Sequence, residues 1–319
     1  MSIRKFFTTV GISYFLLILL YFGITNLLAL VIQAVVPDSL STYPLLYWIV
    51  AAGPQYLIAM PVCACVMRRL PSVNLAKNSL GGGMVWFSLL CMDMLIVQIG
   101  NVIGSRVNTF IGNLSGQDVS SGIESVLSGG NLLLTFLIVV IIGPVMEELI
   151  FRKVLIDRTI VFGDWTAILL SGMIFGLAHG SFEQLFYAFG SGCLYAYIYI
   201  KTGKVRYTIS LHMVTNFLTG FLLILISPDT TDLTRLVNGN DSINSGVFPG
   251  YVLYMIVVLV LSFIGLILFI RAVRKKKVKM VPGKYSMPAG RTAKAVFGNV
   301  GIILFLIIVA FMFVIKIVA

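Results

Sequence analysis

Nine stretches of this chain stay apolar for long enough to need hydrocarbon rather than water around them. They fall near 10–36, 44–67, 80–104, 131–156, 165–180, 182–200, 206–227, 248–271 and 296–316. A bilayer crossing takes about 20 apolar residues as a helix, and backbone groups inside lipid must bond within the chain, which allows only helices or closed barrels. The runs are continuous rather than alternating, so helices are expected. Composition agrees: 59% of residues are hydrophobic, 11% are charged, and mean hydropathy is +1.01, whereas a soluble domain is about a quarter charged. The expected fold is an all-α polytopic membrane protein of about eight to nine transmembrane helices, one domain over 1–319. The fifth run is short for a crossing and is expected to turn back through the sixth at Gly180-Ser181. The first run is too long for a signal-peptide core and reads as a retained span.

A net charge of +11 could suggest a nucleic-acid partner, but its placement excludes that reading. Twenty of the 23 Lys and Arg residues fall in the N-terminal tail and the alternate loops on its side. Only Arg106, Arg235 and Lys316 fall opposite. This bias puts the N-terminus in the cytoplasm. The basic stretch 271–294, ahead of the last span, is expected to meet anionic lipid headgroups. Loops 105–130 and 228–247 are polar and fall outside. Cys63, Cys65, Cys91 and Cys193 lie in apolar runs without metal-ligand spacing and read as packing residues.

Ionisable residues inside spans are costly and so are functional candidates. Glu147 and Glu148 are adjacent in span four. Successive helical residues point ~100° apart, so the two acids cannot share a face. Glu148 can pair with Arg152 four residues on. Glu147 is left without that partner, which suits a general base. Phe175 and His179 share a face of span five, beside a stripe of Gly172, Gly176 and Gly180 that admits a close helix. His212 and Asn216 share a face of span seven. At 1.5 Å per residue, Glu147, His179, His212 and Asn216 lie roughly 16, 22, 9 and 15 Å above the basic side, in one layer. Asp93 stands in span three without a motif, as a packing or cavity-lining group. Each histidine, and Asn216, could alternatively be interhelical hydrogen-bonding glue.

The order Glu-Glu-x-x-x-Arg, Phe-x-x-x-His, His-x-x-x-Asn on successive spans resembles the CAAX protease and bacteriocin-processing (CPBP, or Abi) family, with residues 131–227 as the catalytic core. The resemblance implies a metal-independent intramembrane glutamic endopeptidase in a bacterial plasma membrane. Glu147 would activate a water, His179 would help hold it, and His212 with Asn216 would stabilise the oxyanion. Glu148, Arg152 and Phe175 would support the site. The implied substrate is a peptide or protein with a membrane-associated tail. Two histidines and a glutamate could instead hold zinc, although no His-Glu-x-x-His pair occurs. A non-catalytic bacteriocin-immunity or scaffold protein is the competing class. A proton-coupled transporter is a third, disfavoured by the lack of an internal repeat.

Overall fold

A computed structural model describes residues 1–116, 131–226, 247–275 and 278–318. Its helices are α1 (Ile3–Val35), α2 (Pro44–Met67), α3 (Gly83–Ser115), α4 (Leu132–Phe162), α5 (Asp164–Ala178), α6 (Phe182–Thr202), α7 (Val205–Ile226), α8 (Val247–Arg274), α9 (Ala289–Phe297) and α10 (Val300–Val318). The described residues hold no strand. The chain is an all-α polytopic membrane protein.

Among the described residues, seven helices are long and apolar enough to cross a bilayer: α1, α2, α3, α4, α7, α8 and α10. The other two expected spans form a hairpin instead. The α5 helix has 15 residues, and α6 is longer but carries Glu183, Gln184, Ser191 and several tyrosines. Gly180, at φ +60°, makes the left-handed turn between them, a conformation that costs a Cβ-bearing residue more than glycine. The α6 backbone lies against the glycine stripe. A Cβ on Gly176 would come within 2.8 Å of Leu185 O, and one on Gly172 within 2.9 Å of Phe189 O.

The hairpin packs closely on itself and on α3. The α3 helix packs along α6, and α8 packs on the far side of α3. The α1 helix joins α10 through facing glycines, Gly11 and Gly301, and also packs on α2. Helix α3 runs further than expected, to Ser115, and Gly104 along it seats against Phe182 and Glu183 of α6. The expected loop 105–130 is therefore helical at its start, and its remainder, like most of loop 228–247, lies outside the described residues. The basic stretch 271–294 contains the end of α8 and most of the amphipathic α9.

The basic loops gather at one end. Phe6 near the start of α1 touches Phe162 at the end of α4, with ring centroids 5.0 Å apart. Asp164 then ties α5 to Lys201 Nζ at 2.6 Å and to the backbone N–H of Val281 at 3.0 Å. Among the cysteines, Cys65 is exposed, Cys63 and Cys91 are buried, and all four are free thiols.

Candidate active site

The acids sit where α4 departs from regular α geometry. The six-residue α segment Gly143–Glu148 lies between wide π turns at Phe136–Ile142 and Leu149–Val154. Single π turns inside α-helices occur often at functional sites. Here the cause is local. The Gly143 N–H bonds to Ile138 O, five residues back. In that register the donor for Val139 O would be residue 144, which is proline and has no N–H. The freed carbonyl accepts a hydrogen bond from Asn216 Nδ2 at 3.0 Å. The second π turn is secured from outside as well: Tyr14 Oη donates to Ile150 O at 2.9 Å, and Ser171 Oγ donates to Phe151 O at 2.8 Å.

Held this way, α4 presents two adjacent carboxylates to a single imidazole. Glu148 is fully buried, and its Oε1 lies 3.1 Å from Arg152 Nη2 and 3.1 Å from His212 Nδ1. Glu147 retains 17% of its side-chain exposure, and its Oε2 lies 3.8 Å from His212 Nε2. The two acids do point apart, yet the ring nitrogens are on opposite edges of the imidazole, so His212 fits in the notch between them. The ion pair expected between Glu148 and Arg152 is present and has a further partner in His212.

Arg152 is completely buried. Its Nη1 donates to Ser171 Oγ at 3.2 Å, and its Cζ stands 4.4 Å from the Phe175 ring centroid and 5.6 Å from that of Tyr195. Phe175 is a shared wall: the rings of His179 and His212 meet it edge-on, at centroid distances of 4.8 and 5.8 Å. His179 Nδ1 lies 2.7 Å from Phe175 O. A carbonyl can only accept, so Nδ1 carries the proton and Nε2 of the neutral ring is the acceptor.

The seven side chains singled out from the sequence thus divide into groups. Glu147, Glu148, Arg152 and His212 form one polar chain, with Phe175 packed on its cation and on both histidines. His179 joins through Phe175. Asn216 lies one turn beyond His212, and one of its amide protons is given to Val139. Among the described residues, no three His, Cys, Asp or Glu side chains converge tightly enough to hold a metal ion, so no step is derived through zinc.

The comparisons address the same stretch. The profile of the family described as type II CAAX prenyl endopeptidase Rce1-like matches residues 129–218, which include every residue of this cluster. The protein named "Membrane-embedded CAAX protease MroQ" of Staphylococcus aureus (strain USA300) is 31% identical over 150 residues, 43% of this chain and 58% of that protein. The protein named "Putative membrane peptidase YdiL" of Bacillus subtilis (strain 168) is 24% identical over 170 residues, 51% of this chain and 66% of that protein. Residues 129–218 are thus similar to a CAAX-peptidase family, and the chain to two bacterial membrane proteins named for peptidase activity. In each case the match spans less than two thirds of the relative's length. No solved structure matches the chain.

The cluster has further residues that motif spacing did not disclose. Tyr195 of α6 lies on the His212 ring, centroids 5.4 Å apart, and its hydroxyl donates to Asp93 Oδ2. Thr215 Oγ1 donates to the same oxygen at 2.7 Å. Asp93, noted from the sequence only as a polar residue in span three, is thus a buried acceptor joining α3, α6 and α7 behind the imidazole. An acid in an apolar run was the available signal for it. Tyr195 gave none, being one of three tyrosines spaced two apart in α6.

Proposed function

We propose that this chain is a CPBP-family intramembrane endopeptidase that cleaves a membrane-associated peptide or protein tail with a water activated by Glu147. The observation that carries the reading is the division of labour at His212. One ring nitrogen is engaged by the buried Glu148–Arg152 pair, while the other faces the partly exposed Glu147 at a distance that leaves both atoms capacity for a third partner.

In this mechanism a water lies against Glu147, with His179 Nε2 accepting one of its protons as a hydrogen bond. Glu147 removes the other proton as the water oxygen adds to the scissile carbonyl carbon. A base positioned this way contributes roughly 10²–10⁴-fold. The oxyanion is met by His212, whose Nε2 carries a proton for this step while Nδ1–H stays on Glu148, and by the amide proton of Asn216 that Val139 does not use. As the C–N bond breaks, the proton held on Glu147 passes to the leaving amine. The family resemblance and the names of the two relatives support peptide hydrolysis. The placement of basic loops at one end supports a cytoplasmic N-terminus in a bacterial plasma membrane.

The test is cleavage of candidate membrane-anchored peptides by purified wild type and Glu147→Gln at equal folded yield, with and without chelator. We expect turnover to vanish in the variant and to survive the chelator. Loss on chelation would assign the chemistry to zinc. Full biological activity in the variant would assign the protein to non-catalytic immunity or scaffolding.

A further inference from the structure

Away from the acid–imidazole cluster, at the end where the basic loops gather, a groove of about 650 Å³ lies between the start of α5 and the segment that leads into α9. Its walls include Trp165, Leu169 and Met173 of α5, Met287, and Val296 and Phe297 of α9. Trp165 is 59% exposed, Leu169 47% and Phe297 45%, so the groove is lined by large apolar side chains that the protein leaves uncovered. Its hydroxyl and carboxylate wall groups are already engaged. Asp164 is taken by Lys201 and Val281, Ser286 Oγ donates to Phe162 O at 3.2 Å, and Thr292 Oγ1 donates to Met287 O at 3.1 Å. The interior therefore offers a ligand hydrocarbon contact and little else.

The rim has the opposite character. No acidic residue follows Asp241, and 271–294 holds nine Lys and Arg residues. Lys284, Arg291 and Lys294 are exposed, each within two residues of a groove wall position. Asp164, the acid in the wall, is neutralised by Lys201. The α9 helix turns Ala289, Ala293 and Val296 to the groove, with Arg291 and Lys294 next to wall residues Thr292 and Ala293 but outside the apolar lining, the amphipathic pattern of an interfacial helix. An occupant must supply both a long apolar chain and an anion on the polar side.

We propose that this groove binds an anionic phospholipid, with an acyl chain along Trp165, Leu169 and Phe297 and the phosphate among Lys284, Arg291 and Lys294. The site is independent of the peptidase reading and survives its failure. Three tryptophans are present, and Trp165 is the one in the groove, so brominated lipids read occupancy directly. The full-length protein is reconstituted in phosphatidylcholine, brominated phosphatidylglycerol or brominated phosphatidylcholine is titrated in, and the Trp165 signal is taken as the difference from Trp165→Phe. Near a bilayer surface each cation supplies roughly fivefold in affinity for an anion. We expect at least that preference for the glycerol lipid, erased in the triple variant Lys284→Gln/Arg291→Gln/Lys294→Gln. Equal quenching by both lipids, or a preference unchanged in the triple variant, would overturn the assignment. So would quenching by neither lipid in a protein that behaves as a dimer, which would give the groove to a second copy.

Discussion

Nδ1 of His212 and Oε1 of Glu148 lie 3.1 Å apart, and that same oxygen is the one Arg152 reaches. An arginine is always charged, so it holds Glu148 as a carboxylate, and a carboxylate can only accept. His212 therefore presents Nδ1–H to Glu148, which fixes the orientation of the ring and leaves Nε2 on the Glu147 side. In the proposed mechanism Glu148 is the orienter and Glu147, nearer to solvent, is the base. Two adjacent acids of identical type have different surroundings because one arginine lies one helical turn beyond Glu148.

Breaking that pair should cost folding as well as function. Glu148 and Arg152 are both fully buried, and removing one member of a buried ion pair destabilises by about 3–5 kcal/mol because the other charge is stranded. Glu148→Gln and Arg152→Ala are each expected to lower folded yield in detergent, whereas Glu148→Leu combined with Arg152→Leu recovers yield without turnover. Monodisperse yield by size-exclusion chromatography makes the comparison. Normal yield for both single variants would contradict a structural role.

The histidines should separate by readout. His212→Ala removes the group between the acids, and His179→Ala removes an acceptor that no other side chain supports in the same place. Both are expected to abolish cleavage with near-normal yield. In a single-turnover assay with an excess of enzyme, residual rate in either variant equal to wild type would remove that residue from the mechanism.

How much of this could be read from the chain follows the range of the interactions involved. The helical membrane fold is dictated by long apolar runs, and the residue types at the site stand out because each is out of place in hydrocarbon. Glu148 and Arg152 are one turn apart, so their pairing is legible as spacing. The turn at Gly180 and the glycine stripe are local for the same reason. Contacts that join distant segments leave no such trace. Tyr14 caps a carbonyl 136 positions away, and Tyr195 reaches Asp93 across 102. Both are hydroxyls on otherwise apolar side chains and look like core aromatics until the helices are assembled. The π turns of α4 are likewise set by which carbonyls neighbouring helices can satisfy, and apolar periodicity does not record that. The expected location of Asn216 one turn from His212 is present, but its bond to Val139 depends on the irregularity in another helix.

The network behind the imidazole gives a graded expectation. Tyr195→Phe keeps the ring on His212 and removes a hydroxyl from Asp93, leaving Thr215 as a donor. Loss of one hydrogen bond to a buried carboxylate costs about 1–3 kcal/mol. Thermal stability should therefore fall while cleavage persists at a reduced rate. Asp93→Ala strands two hydroxyls and should lose more of both. A Tyr195→Phe protein as stable as wild type would show that the Asp93 contact contributes nothing net.

The bond between Asn216 and Val139 can be tested for its cause. If Pro144 frees the Val139 carbonyl, Pro144→Ala supplies an N–H that can satisfy it within α4, and the Asn216 amide becomes dispensable for packing. Asn216→Ala alone should then cost about 1–3 kcal/mol, the penalty for leaving a buried acceptor unpaired. In the Pro144→Ala background the same change should cost distinctly less. A double-mutant cycle on thermal stability measures the difference, and coupled residues commonly show about 0.5–3 kcal/mol. Activity supplies the second axis. A purely architectural Asn216 would make Asn216→Ala active again in the Pro144→Ala background, whereas an oxyanion donor would leave it inactive however stable the protein becomes. Additive stabilities would mean that the proline is not the reason the carbonyl needs its partner.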